Sequence, residues 1–391
     1  MKNCLIRFSI AGILVTLVVC YAASQTDEQA QKVHYVVTDD NEPVNTATFY
    51  RIDQRGNLSL YKAVKTGGAG GSPSYFAARY VTGVDEHNKQ CAFVVDLGSN
   101  DIAGIVVQTQ EVTGNFKGSS SDEGGVDISL AMNHKYLYAA FRDSKTVATF
   151  AVKPRCKLEF MADIALVGLY GGAVDSMAVN GKILVVAYAD GSIQSFDISG
   201  GVPVSNNDEQ LSTGYLKDGG EPAGVRITTD GHYAIFGDAG FYVEVEVSDT
   251  SSGKLTPTVD YGGSGGGLGA GNDSNNIRLS SDESLLYISV NYSGEVAAAF
   301  FDKTNGILSK GCASGPLNGY GKTWDTTNGI AAKAIAGRGD VIFVAEADGE
   351  GRPSVGVVQV DSNHGQCRLT ETKHSPVSDP NGGNMWSIRV F

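Results

Sequence analysis

The chain has 391 residues, 30 of them Lys or Arg and 43 Asp or Glu, giving a net charge of −13, and 42% of its residues are hydrophobic. That charge has the wrong sign for nucleic acid or for an anionic membrane surface, while the apolar content suffices for large cores. Fifty glycines without a three-residue period exclude collagen and indicate a turn-rich chain, and beyond the N-terminus no stretch approaches membrane-spanning length.

The first 24 residues read as an export signal. Lys2 and Arg7 supply the positive end, Ile10 to Val19 the apolar core, and Ala22-Ala23-Ser24 a small-residue cleavage site before Gln25. A lipoprotein reading through Cys20 is weaker, since Val19 is bulkier than the small residue usual at that flank. Cleavage removes Lys2 and Arg7 but no acidic residue, which deepens the negative charge. Residues 25–32 then form a short linker and residues 33–391 one domain, in a protein expected to be secreted, periplasmic or held at a cell surface.

From there the chain repeats one short programme. Hydrophobic strands read YVVT from Tyr35, FVVD from Phe93, YAAF from Tyr138, VVAY from Val185, IFGD from Ile235, YISV from Tyr287 and FVAE from Phe343. They are 58, 45, 47, 50, 52 and 56 residues apart. A polar turn follows each, such as Asp39-Asp40-Asn41 or Asp190-Gly191-Ser192, and then a partner strand such as ATFYRI, VATFAV or VGVVQV. Alternating polar and apolar residues make half-buried strands, and short connections make antiparallel hairpins. A repeat of this length carries about four strands and is a propeller blade, because each sheet can bury its faces only against neighbours. The predicted fold is therefore all-β, a seven-bladed β-propeller. Its first copy lacks an innermost strand, whereas Asn384 to Phe391 is a strand left without a blade. This C-terminal strand is expected to pair into blade one, leaving no open edge.

With Cys4 and Cys20 in the signal, Cys91, Cys156, Cys312 and Cys367 remain, an even number in an oxidising compartment. Four cysteines allow three pairings, and buried thiols are the simpler alternative. Proximity in neighbouring outer strands favours Cys312 with Cys367, leaving Cys91 with Cys156. No Cys-x-x-Cys spacing points to a metal.

Strings such as Tyr35-Val36-Val37-Thr38, Asp96-Leu97-Gly98-Ser99-Asn100-Asp101-Ile102 and Leu286-Tyr287-Ile288-Ser289-Val290-Asn291 resemble the seven-bladed lactonase-type propellers. That family includes propeller-type 6-phosphogluconolactonases and the carboxymuconate cyclases, and the chain is also similar to the looser YVTN-repeat propellers. The resemblance covers residues 33–391 and implies that function sits where innermost strands enter the central channel. It further implies a Pro-Arg-His triplet, a His-Ser, a Glu before Ile and a Ser-Asn-Arg at such positions. Here stand Pro222-Ala223-Gly224, Asp175-Ser176 or Ser74-Tyr75, Asn275-Asn276-Ile277 and Ser289-Val290-Asn291, so none of these carries over. No histidine occupies an entry either, since His34, His87, His134, His232, His364 and His374 flank strands or lie in outer turns.

The entries do supply a mixed polar ring. Asp127, Asp175, Arg226 and Arg278 are the catalytic candidates, with Tyr75, Asn276, Asn328, Asn384 and Trp386 as ligand-binding residues. Paired carboxylates could act as acid and base or hold a cation while the arginines hold a carboxylate or phosphate. The competing account has Asp and Asn bonding their own turns and the two arginines pairing with the aspartates. The expected function is thus a degenerate, lactonase-like secreted propeller, monomeric, binding a small molecule, glycan or protein at its channel face. The alternative is an active hydrolase opening a cyclic ester with those carboxylates and arginines. No cofactor is expected, and no metal at the entries. Asp39, Asp40 and Glu42, or Asp348 and Glu350, could hold calcium, but read more simply as solvated hairpin turns. The glycine-rich run Asp260 to Asp273 precedes no helical pattern and reads as a flexible loop rather than a dinucleotide site.

Overall fold

The computed structural model describes residues 33–71, 81–86, 89–130, 135–206, 211–212, 221–239, 243–250, 252–253, 255–261, 274–290, 293–317, 327–347, 352–363, 365–381, 385 and 387–391. The export signal and linker readings, Tyr75, Asn384, Trp386, Asp348, Glu350 and most of the glycine-rich run fall outside these residues.

Among the described residues there is no helix, and the strands assemble into seven antiparallel sheets. Six of them follow the chain, beginning with innermost strands Val81–Glu86, Gly125–Leu130, Val174–Asn180, Glu221–Ile227, Ser274–Leu279 and Thr327–Ile335. Sequence order is broken once. Ile388–Val390 pairs with His34–Asp39, in the register Val36 to Val390, Val37 to Arg389 and Thr38 to Ile388, and so supplies the innermost strand of the first sheet. Backbone hydrogen bonds from Phe391 N to Tyr35 O, 2.8 Å, and from Tyr35 N to Phe391 O, 3.2 Å, extend the pairing to the last residue. The expected closure by the C-terminal strand is therefore present, and this is an all-β propeller.

Period-two alternation explains how each sheet holds both neighbours. In strand Gly339–Ala347, Phe343 joins a core shared with the first sheet through Val36 and Tyr50, whereas Ile342 and Val344 join one shared with Leu285 and Tyr287 of the preceding sheet. Seven apolar clusters alternate in this way with the seven sheets. The strands are thus apolar on both faces, which is why the segment Leu285–Val290 is buried at every position. Phe391 belongs to the cluster between the first and second sheets, with Tyr35, Val37, Val81 and Val94. A Cβ atom at Gly83 would overlap its ring, so the aromatic face lies directly on the glycine backbone of the second sheet.

Two disulfides staple adjacent sheets, Cys91 to Cys156 and Cys312 to Cys367, the pairings favoured by proximity. They close loops of 65 and 55 residues, for which chain entropy alone gives about 4 kcal/mol each. Cys91 and Cys156 are wholly buried, whereas Cys312 and Cys367 are half-buried. Mild reductant should therefore open Cys312–Cys367 first and lower the melting temperature in two steps, read by thiol alkylation with mass spectrometry alongside thermal denaturation. Simultaneous reduction of both bridges would contradict this order.

Candidate functional site

The innermost strands share an irregularity. Register slips at the start of five of them: between Gly125 and Asp127, Val174 and Ser176, Pro222 and Val225, Ser274 and Asn276, and Thr327 and Ile330. An inserted residue bends a strand and re-aims the side chains beside it. Repeated at the same place in successive sheets, the bulge decides which polar groups turn toward the neighbouring sheet and which toward the centre.

The first residue past the bulge generally clasps the next sheet. Asp127 Oδ2 accepts the Met177 N–H at 2.5 Å, and Ser176 Oγ accepts the Val225 N–H at 3.1 Å. Ser387 Oγ, on the closing strand, accepts the Val81 N–H at 3.1 Å. Each such bond satisfies a backbone donor that would otherwise be buried between sheets. Asp127 is wholly buried in this role. Asp175, 1% exposed, is held at 2.7 Å by Arg142 Nη1 from the hairpin of the preceding sheet. Arg142 is an ion-pair partner that the sequence reading did not single out.

The arginines go elsewhere. Arg226 donates from Nη1 to Val225 O at 2.6 Å and from Nη2 to Asn276 Oδ1 at 2.9 Å. Asn276 is itself buried, fixed by its Oδ1 accepting the Ile277 N–H at 3.0 Å, while its backbone oxygen accepts Ser289 Oγ at 3.2 Å. Arg226, Asn276 and Arg278 line one central cavity with Arg389 and Ser387 from the closing strand and Ile330 from the seventh sheet. It encloses about 390 Å³, part of it open to solvent. Three guanidinium groups therefore meet at the hub, all half-buried, and no described lining residue is acidic. The structure brings together Arg226, Arg278 and Asn276 of the sequence-predicted set, and places Asp127 and Asp175 between sheets, outside the lining. Asn328 lies on the strand Thr327–Ile335, where only its backbone is described. Arg389 was missed because its strand was read purely as a closure. The signal was a lone cation in the otherwise apolar Ile388-Arg389-Val390-Phe391.

A second polar cluster lies between the first and second sheets. Asn45 Nδ2 donates to Asp39 Oδ1 and to Asp96 Oδ1, 2.9 Å each, so one amide sits between two carboxyl groups. Asp96 also accepts Thr66 Oγ1 at 2.6 Å and Asn115 Nδ2 at 2.9 Å, the same amide that reaches Asp101 Oδ1 at 2.8 Å. Asp40 accepts Thr38, Thr46 and Thr48. Asp39, Asp40 and Asp96 are fully buried, which corrects the reading of Asp39-Asp40 as a solvated turn. Burial pushes the Asp39 carboxyl up to about 8 against the bonds from Asn45 and Asn41, with the charge of Asp96 adding to the rise. Burial likewise lifts Asp96 to about 7, partly opposed by Thr66 and Asn45. Asp40 is raised well above the carboxylate range by burial and by Asp379. Among the described residues no three His, Cys, Asp or Glu are grouped as a metal-ligand set.

No family model matches the sequence, and no curated protein sequence is significantly similar to it. Solved structures do share its shape. A protein from Lactobacillus plantarum superposes with a TM-score of 0.67 at 14% identity, over 92% of this chain and 99% of that one. A candidate 6-phosphogluconolactonase from Bacteroides fragilis gives 0.63 at 15% identity, over 93% and 99%. A periplasmic gluconolactonase from Pseudomonas aeruginosa gives 0.52 at 14% identity, over 71% and 81%. At these identities the likeness is one of architecture, and what this chain shares with all three is the propeller fold itself.

Proposed function

We propose that this is an exported, seven-bladed, lactonase-like propeller that binds a ligand or partner at the hub of its ring and does not open cyclic esters. One observation carries the reading. The two carboxylates placed to serve as a base, Asp127 and Asp175, are committed to the Met177 amide and the Arg142 guanidinium, away from the described cavity lining. Lactone hydrolysis needs a group that removes a proton from water beside one that stabilises the oxyanion. The described hub supplies the second kind in Arg226, Arg278 and Arg389, but no imidazole or carboxylate of the first. Export is supported by the N-terminal signal pattern and by two disulfides that join sheets, bonds that persist in oxidising compartments. Seven blades are supported by the seven sheets and the seven cores between them.

The test is hydrolysis of a panel of γ- and δ-lactones followed by pH-stat, with Asp175→Asn and Arg226→Ala as controls. No turnover above the uncatalysed rate is expected. Turnover that disappears in both variants would replace the binding reading with that of a hydrolase.

A further inference from the structure

We propose that the hub takes a compact oxyanion, a small di- or tricarboxylate or a phosphate, and that this anion ties the closing strand into the ring. The inference rests on the hub being a ligand site and adds the chemistry of the ligand and its mechanical effect. Its three guanidinium groups come from separate stretches of chain: Arg226 on Glu221–Ile227, Arg278 on Ser274–Leu279 and Arg389 on Ile388–Val390. Like charges gathered in a partly enclosed space repel one another, and the repulsion is strongest where water is scarce. Two of the acceptors that orient Arg226, Val225 O and Asn276 Oδ1, are neutral, so they position the fork without offsetting its charge. An oxyanion does both. The planar guanidinium fork matches carboxylate and phosphate geometry in a way that a lysine ammonium does not. Small side chains such as Ala331 and Ala332 line the cavity beside the arginines, leaving room for a short carbon skeleton rather than a polymer. In a chain of net charge −13, a basic hub is also the place where an anion is attracted while the remaining surface repels it.

The third arginine changes what binding does. Ile388–Val390 is held to the first sheet by a three-residue ladder, and Ser387 adds one clasp to Val81. An anion bridging Arg389 to Arg226 and Arg278 joins this short strand to the fifth and sixth sheets across the centre, a connection that the backbone ladder does not make. Occupancy should therefore stabilise the closed ring by preferential binding to the native state.

The test uses the full folded protein titrated with tricarballylate, succinate or inorganic phosphate, by calorimetry at ionic strength held constant with chloride. Hydrogen exchange at Ile388–Val390 is followed in parallel. Binding that strengthens from succinate to tricarballylate marks a carboxylate site, and preferential binding of phosphate marks a tetrahedral one. Either outcome, with slower exchange in the closing strand, is the expected result. Arg226→Ala, Arg278→Ala and Arg389→Ala should each weaken binding about tenfold or more, the usual scale for a charge-assisted pair. The surface replacement Arg155→Ala should leave affinity unchanged. Arg389→Gln repeats the measurement should the alanine variant fold poorly, and should abolish the added exchange protection. The proposal is overturned if none of the three probes binds above chloride, or if binding ignores all three hub replacements. A neutral oligosaccharide that protects the hub where the anions fail would reject the oxyanion while sparing the ligand-binding reading, whereas lactone turnover would reject that reading whatever the anions do.

Discussion

Deleting Ser387 to Phe391 is expected to lower the melting temperature by more than 10 °C or to yield no soluble folded protein, measured by thermal denaturation of the secreted chain. The segment provides the innermost strand of the first sheet, through pairs to Val36, Val37 and Thr38. It also carries Phe391, whose ring is packed on the Gly83 backbone and is 7% exposed. Truncating a buried phenylalanine to alanine costs about 3–5 kcal/mol, so Phe391→Ala alone should reproduce much of the loss. Removing the strand adds an unpaired edge along His34–Asp39, a surface prone to pairing with another chain. Aggregation should accompany the destabilisation for that reason. A shortened protein that melts where the full chain does would show that the ring is held shut by something other than this strand.

The second large effect is on pH. Asp39 and Asp96 hold their protons up to about 8 and about 7 in the folded protein, against an ordinary value of 3.8. The native state therefore binds more protons than the unfolded chain once the pH rises above the ordinary value. Stability falls progressively across that window and the loss is complete above the folded values. The contribution is favourable in mild acid, the reverse of the familiar case of a salt-bridged carboxylate. Raising the pH from 6 to 9 should cost about 2–4 kcal/mol, seen as a fall in melting temperature of about 5 °C or more. Asp39→Asn keeps an oxygen to accept from Asn45 and the Asn41 amide while removing the titration, and Asp96→Asn does the same beside Thr66 and Asn115. Each variant should flatten the profile, and the double variant should nearly abolish it. Equal slopes in wild type and double variant would assign the pH dependence to general repulsion in an acidic protein.

Much of the architecture was legible because blade repeats announce themselves locally. Tyr35-Val36-Val37-Thr38 and Phe93-Val94-Val95-Asp96 carry the alternation, the turn and the strand direction within a few residues, and the structure places them as adjacent strands of neighbouring sheets. Disulfide pairing followed from the same map. What stayed hidden depends on contacts between sheets. Alternation shows that a residue leaves the sheet on a given face, but not which group on the next sheet receives it. Asp127 meets a backbone N–H, Asp175 meets Arg142, and neither could be told from a channel carboxylate by spacing. The bulges compound the difficulty, since one inserted residue reverses the side of everything near it. Asp39 and Asp40 were obscured differently. A turn spelled Asp-Asp-Asn usually faces water, and only the packing of Gly68 against Asp96 and of Gly70 against the Asn41 backbone shuts this one away.

The alternation of Ile342 and Phe343 between two cores has a mechanical corollary. Adjacent side chains belong to different seams, so a cavity cut at one seam leaves the packing of the next intact. All the seams nevertheless share one circumference. When one widens, the others must narrow or the bore must dilate, and a local defect becomes hoop strain at the axle. The arginine trio sits there, so replacements far out on the rim should be felt as altered spacing among Arg226, Arg278 and Arg389.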